Sequence, residues 1–168
     1  MDLLFEQAWQ ELLEFEGGYN NDPYDQGGKT KYGITEKVAR SCGYQGAIKN
    51  LTKQEAKDIY YQYYWTNHNY DQIRVADLAV ELFEQAVNLG PRRANLNMQH
   101  SYNLLGNSKL VEDGIVGVQT LAAVNSFSDL DSLLILLNLL QGRKYINICE
   151  QNPEQKRFLR GWLKRVSL

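Results

Sequence analysis

One carboxyl side chain of this sequence stands where it is able to do acid chemistry. Glu16 follows a helical pattern and comes directly before Gly17-Gly18. A carboxyl group at a helix C-terminus meets the negative end of the helix dipole, which favours its protonated form. A carboxylic acid that stays protonated near neutral pH can donate its proton to the leaving oxygen of a glycosidic bond. Glu16 is therefore a candidate general acid.

Glycosidic cleavage needs a second group, which stabilises the oxocarbenium-like transition state or activates water. Asp22 and Asp25 follow Glu16 in a segment with five glycines and one proline before Thr35. Such a segment costs much backbone entropy, and loops of this kind usually hold a site. Two other interpretations stay open, namely a solvated helix cap followed by ordinary turns and a calcium loop. The calcium loop is disfavoured because the two aspartates do not follow the Asp-x-Asp-x-Asp-Gly pattern.

The elements that must position these groups are mostly helical. Leu4, Phe5, Ala8, Leu12 and Phe15 recur at helical spacing and predict an amphipathic helix over residues 3–15. We expect an ordered loop with a short β-hairpin before Ile34, and Thr35 as the N-cap of a short helix. Six further helices are predicted over residues 52–65, 75–89, 92–105, 118–125, 129–148 and 153–166, with the clearest break at Gly90-Pro91. The fold class is mainly α.

Composition limits the kind of protein. The chain has 168 residues, of which 43% are hydrophobic and 23% charged, as in a folded domain. The first residues lack the features of a signal peptide, and the most apolar run, residues 133–140, is too short to span a bilayer. We therefore expect synthesis in the cytoplasm without a signal peptide, no membrane insertion, and a separate route of release. Cys42 and Cys149 are expected to be buried thiols, and the isolated histidines predict neither a metal nor another cofactor.

The two halves of the chain differ in charge and in aromatic content. Residues 1–88 hold 8 basic and 14 acidic side chains, residues 89–168 hold 10 and 6, and nine of the eleven tyrosines precede Asp71. An aromatic cluster ends the helix predicted over 52–65. Since aromatic faces stack on sugar rings, Tyr61, Trp65 and Tyr70 are candidate groove residues. Tyr60, Tyr63 and Tyr64 share one helical face, which favours a core position. Asn88 is either a partner for an N-acetyl group or a satisfied cap.

The run from Glu16 to Thr35 resembles the signature of glycoside hydrolase family 108, which comprises lysozyme-like N-acetylmuramidases of bacteria and phages. Residues 48–52, 56–60, 64–65 and 86–91 continue the resemblance. Residues 113–121 and 158–166 resemble the peptidoglycan-binding module that usually accompanies this family, with Val118 at a position where proline is common. Nearly the whole chain is covered.

The resemblance implies a lysozyme-like fold with a catalytic lobe over residues 1–88 and a helical peptidoglycan-binding lobe over residues 89–168. It implies hydrolysis of the β-1,4 bond between N-acetylmuramic acid and N-acetylglucosamine, with Glu16 as catalytic acid, while Asp22, Asp25, Thr30, Tyr32 and Thr35 fall on matching positions of the motif. The expected partner is peptidoglycan, met by a monomer in the periplasm or cell wall after release through a holin or another route. The candidate substrate-binding residues are Tyr19, Thr30, Tyr32, Thr35, Tyr61, Trp65 and Asn88.

Three other functions stay open at this point. They are a non-catalytic peptidoglycan-binding protein, a secretion-accessory protein, and a lytic transglycosylase, which uses one glutamate but leaves anhydro-muramic ends. Nucleic-acid binding is disfavoured because basic and aromatic residues do not interleave. A bacteriolytic phage endolysin and a host enzyme are both compatible with the sequence, as are retention and inversion at the anomeric carbon.

Overall fold

A computed structural model of the protein describes residues 2–15 and 30–166. Within these ranges the chain forms eight α-helices and one two-stranded hairpin, which confirms the mainly α class with a short hairpin. The elements are α1 (Leu3–Phe15), β1 (Thr30–Lys31), β2 (Ile34–Thr35), α2 (Glu36–Ser41), α3 (Lys53–Tyr60), α4 (Ala76–Leu89), α5 (Pro91–Leu105), α6 (Val118–Asn125), α7 (Leu130–Gln151) and α8 (Lys156–Trp162). A π-helical turn, Tyr61–Trp65, continues α3, and short 3-10 turns occupy Ile48–Asn50, Thr66–His68, Tyr70–Gln72, Pro153–Gln155 and Leu163–Arg165.

Two helix starts arise from local hydrogen bonds that the sequence predicts. The Thr35 hydroxyl accepts from the Val38 N–H at 3.2 Å and caps α2. Thr52 and Glu55 form a capping box at the start of α3, since each side chain accepts from the other's backbone N–H. The helix predicted over 153–166 is instead divided into two 3-10 turns with α8 between them.

Helix α1 is held by one apolar face. Phe5, Ala8, Trp9 and Leu12 are all buried, at the spacing of a single helical stripe. The Phe5 ring lies 5.7 Å from that of Phe83 in α4, in an edge-on arrangement. This face therefore fixes α1 against α4.

A glycine makes the turn between α4 and α5. Gly90 has φ 86° and ψ 143°, a backbone conformation that side chains with a Cβ avoid. Its N–H closes α4 on the Ala86 carbonyl at 3.0 Å, and Pro91 then begins α5 with φ already suited to a helix. The two helices consequently pack side by side.

One hydrophobic core runs through both halves of the sequence. It joins Phe5 of α1 and Phe83 of α4 to Met98 of α5 and to Leu133 and Leu137 of α7. The predicted lobes thus share a core, and their division after residue 88 stays a prediction. Both cysteines are free thiols, with Cys149 buried and Cys42 half-buried. In the part of the chain that the structure describes, none of the helices has the length and apolarity to cross a membrane.

Candidate active site

Four predicted site residues, Glu16, Tyr19, Asp22 and Asp25, lie outside the described residues. The structure does describe the elements on both sides of them. Helix α1 ends at Phe15, and β1 begins at Thr30. Contacts among the described residues hold both of these attachment points.

A single buried tyrosine connects the two attachment points. The Tyr60 ring lies 5.3 Å from the Trp9 ring of α1. Its hydroxyl donates to the Tyr32 carbonyl of the hairpin turn at 2.9 Å. Tyr60 also stacks on Tyr64 at 5.2 Å and has no exposed surface. Helix α1 and the hairpin therefore pack on the same aromatic core.

The N-terminal end of α1 is tied down by polar contacts. One Asp2 carboxylate oxygen accepts from the Leu4 N–H at 2.9 Å, and the other accepts from the Trp65 indole N–H at 3.2 Å. Lys57 of α3 forms an ion pair with Glu6 at 2.5 Å. These contacts fix the rotation of α1 about its axis.

The hairpin has a tight two-residue turn. Tyr32 has φ 52° and Gly33 has φ 73°, as required for a type I′ turn. Tyrosine rarely adopts a positive φ, and here its carbonyl is held by Tyr60 and its ring lies 5.5 Å from the Lys31 ammonium. The Lys31 ammonium also donates to the Lys49 carbonyl at 2.7 Å. These contacts hold Tyr32 in the strained conformation.

Two predicted threonines are brought together by the hairpin register. Thr30 pairs directly with Thr35, and Lys31 pairs with Ile34. Directly paired residues place their side chains on the same face of a hairpin. Thr30 and Thr35 are half-buried, whereas Ile34 is fully buried in the core. The hairpin thus presents two neighbouring hydroxyl groups.

The predicted groove aromatics require a correction. The Trp65 ring has no exposed surface and packs against Phe5 and Phe83, so it is a core residue and is not available to a sugar. Tyr70 is also fully buried, and its hydroxyl donates to Asn95 at 2.7 Å. The physical reason for Trp65 is the π-helical turn, whose wider period shifts it away from the direction that an α-helix would give.

Two other predicted residues remain near the surface. Tyr61 is half-buried, with its ring 4.9 Å from that of Phe5 in an edge-on contact. Asn88 is half-buried, and its side-chain N–H donates to the Glu84 carbonyl at 2.9 Å within α4. That contact is of the capping kind, and substrate binding by Asn88 stays a prediction.

Helix α4 contributes half-buried carboxyl groups that the sequence analysis missed. Burial, together with the charges of Glu81 and Glu11, raises the pKa of Glu84 to about 7, against the opposing effect of Arg165. The Glu84 carboxyl lies 4.0 Å from the Arg165 guanidinium and beside a cavity of about 40 Å³ between α1 and α4. A possible signal was the polar stripe of Glu81, Glu84, Gln85 and Asn88 at helical spacing in an otherwise apolar helix.

In the second half, a turn that follows Asp113 is held by buried amides. The Gln99 side chain donates to the Asp113 carboxylate at 2.9 Å and to the Ile115 carbonyl at 3.0 Å, and it accepts from the Gly114 N–H at 2.8 Å. The hydrogen bond from Gln99 is the main cause that holds the pKa of Asp113 below its usual value. Gly114 has φ 77°, and a Cβ there would lie 2.8 Å from the Arg92 side chain. The turn at residues 113–115 is thus held by several directed hydrogen bonds and requires a glycine at its centre.

The described helices and hairpin define a mainly α, lysozyme-like fold. Residues 9–90 match the family model described as Glycosyl hydrolase 108, and residues 98–167 match the model described as Predicted Peptidoglycan domain. The chain is similar to the solved structure of SagA from Brucella abortus, with a TM-score of 0.77 and 29% sequence identity over 96% of this chain and 88% of that one. No match was found among curated protein sequences.

The family resemblance of the sequence is thereby confirmed. The chain combines a glycosyl hydrolase 108 domain with a peptidoglycan domain. These two matches support the class of a glycoside hydrolase with peptidoglycan as its partner.

Proposed function

We propose that the protein is a muramidase, which hydrolyses the β-1,4 bond between N-acetylmuramic acid and N-acetylglucosamine with Glu16 as the general acid. The observation that carries this proposal is the Tyr60 connection between α1 and the hairpin. It holds α1 and the hairpin, the two described elements on either side of Glu16, on one core, and proton transfer requires a carboxyl group held at a defined position. The match to Glycosyl hydrolase 108 includes this whole segment.

In the proposed reaction, Glu16 protonates the leaving oxygen while positive charge develops on the muramic acid ring. Asp22 or Asp25 then either stabilises that charge directly or activates water, and the separation of the carboxyl groups decides between retention and inversion. The second group supplies the negative charge, so the two carboxyl groups must differ in protonation. The helix end predicted from the sequence for Glu16 and the loop predicted for the aspartates favour that difference.

The surrounding side chains suit a sugar substrate. Thr30 and Thr35 present neighbouring hydroxyl groups on the hairpin, which suit hydrogen bonds to sugar hydroxyls or to water. Tyr32 and Tyr61 are half-buried aromatics, and the sequence offers Tyr19 as a further candidate. Aromatic faces of this kind bury the apolar side of a sugar ring.

The test compares clearance of purified peptidoglycan by the wild type, Glu16→Gln and Glu150→Gln. Glu150 is an exposed carboxylate of α7, so its replacement makes the same charge change away from the site. Loss of the general acid is expected to lower the rate by about 10²- to 10⁴-fold. The Glu150 variant is expected to keep the wild-type rate. Equal clearance by all three proteins would rule out Glu16 as the acid.

Mass spectrometry of the products checks the reaction type. Hydrolysis leaves reducing muramic acid ends, whereas a lytic transglycosylase leaves anhydro-muramic ends. Binding of the wild type to sacculi without release of fragments would instead indicate a non-catalytic wall-binding protein. Either of these two results would overturn the muramidase proposal.

A further inference from the structure

A cavity of about 500 Å³ lies between α5 and α7, in the half of the chain opposite the proposed catalytic segment. Its volume is that of a typical small-ligand site. No residue assigned above to catalysis or to sugar binding lines it. Its walls are Arg93, Leu96, Asn97 and His100 of α5, then Leu140, Arg143, Lys144 and Asn147 of α7, with Glu112 at one side.

The spacing of these residues is that of two facing helical stripes. Each helix contributes positions i, i+3, i+4 and i+7, which in a packed bundle form the apolar contact face. Here only Leu96 and Leu140 are apolar, and the other six residues are polar or charged. Because most of these positions are polar, the two helices leave a cavity between them. Apolar side chains at the same positions would pack together and fill this space.

The cavity carries positive charge that its own walls do not neutralise. Within the described residues, Arg93, Arg143 and Lys144 form no ion pair. The carboxylate of Glu112 is already engaged, 3.1 Å from the His100 ring and accepting from the Asn103 amide at 3.0 Å. Hydrogen bonds from these two side chains hold the pKa of Glu112 below its usual value, so it stays ionised beside His100. Among the described residues, three cations of the cavity thus have no acidic partner.

The neutral walls indicate which anion fits. The Asn97 side chain is buried, and its N–H donates to Gln85 at 3.1 Å, which fixes the orientation of its amide. Asn147 is half-buried at the other wall. Amide groups on both walls suit the peptide groups of a short chain, and Leu96 and Leu140 suit its methyl side chains. A bare inorganic anion would use only the cations.

We infer that this cavity binds the acidic stem peptide of peptidoglycan, with Arg93, Arg143 and Lys144 receiving its carboxylates. Stem peptides combine free carboxylates, peptide groups and alanine methyl groups, which are the three chemistries of the cavity walls. Arginine pairs with carboxylates through two parallel hydrogen bonds, so two arginines select for them. This inference rests on the proposed function in one respect, since it takes peptidoglycan as the substrate.

The test measures binding of the tripeptide L-alanyl-γ-D-glutamyl-diaminopimelate to the full-length protein by calorimetry. Arg143→Gln and Arg93→Gln are each expected to bind about tenfold more weakly than the wild type, because each loses a charge-assisted contact. The matched control is Arg160→Gln, an exposed position of α8, which is expected to bind like the wild type. Binding is also expected to weaken as ionic strength rises.

Two further ligands test whether the cavity selects for the carboxylates of a peptide. The same tripeptide with amidated carboxylates is expected to bind about tenfold more weakly, whereas equal binding would overturn the inference. Inorganic phosphate binding as tightly as the tripeptide would reveal an unselective anion site and would also overturn it. Thermal unfolding checks that the arginine variants are folded, and the two variants test the cavity independently.

Failure of this inference and failure of the muramidase proposal are distinguishable. Glycan strands stripped of their peptides by an amidase report on cleavage alone. If the wild type cleaves such strands but does not bind the tripeptide, the cavity inference is wrong and the muramidase proposal stands. If the tripeptide binds in the cavity but no strand is cleaved, the cavity inference stands and the catalytic proposal is wrong.

Discussion

The two halves of the molecule position their functional segments by different means. In the first half, the helix and the hairpin that flank residues 16–29 are held by packed aromatic rings, centred on Tyr60 and Trp9. In the second half, directed hydrogen bonds from Gln99 and Asn95 hold the turn after Asp113. Ring packing tolerates small shifts, whereas each directed bond specifies one geometry. The first half therefore holds α1 and the hairpin by ring packing, whereas the second half holds its turn by directed hydrogen bonds.

The largest effect is expected where the two halves meet, at Glu84. Its pKa of about 7 lies above the usual glutamate value, so folding favours its protonated form. The resulting stabilisation is complete below pH 4, where the unfolded chain is also protonated. It is lost as pH rises through 7. Glu84→Gln mimics the protonated acid and is expected to be more stable than the wild type at pH 8, by at most about 3 kcal/mol.

Urea unfolding at pH 5 and pH 8 measures this difference, with exposed Glu150→Gln as the control. The loss of the Arg165 partner works against the gain, which makes the stated value an upper bound. A wild type and Glu84→Gln variant that respond identically to pH would show that Glu84 does not couple folding to protonation.

The second largest effect on stability is expected when the directed hydrogen bonds of the second half are removed. Gln99→Ala leaves the Gly114 N–H without its partner and the Ile115 carbonyl with only the Thr120 hydroxyl, at a cost of about 2 kcal/mol of unfolding free energy. Hydrogen exchange at the Gly114 amide is expected to accelerate in the variant. Unchanged exchange would mean that other contacts hold this turn. Gln119→Ala, at an exposed position of α6, is the matched control and is expected to change neither quantity.

The smallest effect on stability is expected in the first half, where one polar contact supplements the rings. Tyr60→Phe removes the hydroxyl that donates to the Tyr32 carbonyl but keeps the ring. The expected cost is about 1 kcal/mol. Because the bond anchors the hairpin, the rate of peptidoglycan cleavage is expected to fall by more than the small loss of unfolding free energy would explain. Tyr63→Phe changes a half-buried neighbouring ring with no hydrogen bond to the hairpin, and a similar loss of activity there would remove the role assigned to Tyr60.

Local signals made much of the fold predictable. The α1 range of 3–15, the α6 range of 118–125 and the caps at Thr35 and Thr52 follow from spacing and capping residues within a few positions. These features depend on neighbours in sequence, which a single sequence contains. The family resemblance was likewise carried by contiguous runs.

Residues whose role depends on distant partners were harder to predict. Trp65 was expected in a groove but lies in the core, because a π-helical turn and a bond to Asp2 direct it inward. Arg165 belongs to a run rich in basic residues, 156–165, yet its side chain is only 12% exposed and faces Glu84. The basic cavity was missed because its two stripes come from separate helices that meet only in the folded chain.

The bond between Asp2 and Trp65 joins residues 63 positions apart, and this separation has a consequence for synthesis. Helix α1 leaves the ribosome first, but the aromatic surface that buries Phe5 includes Phe83 and is completed much later. Contacts so distant along the chain form late, because a long loop must close before they contribute. Helix α1 of a nascent chain therefore lacks the surface that buries Phe5 until α4 has been made, and its burial is among the late events of folding.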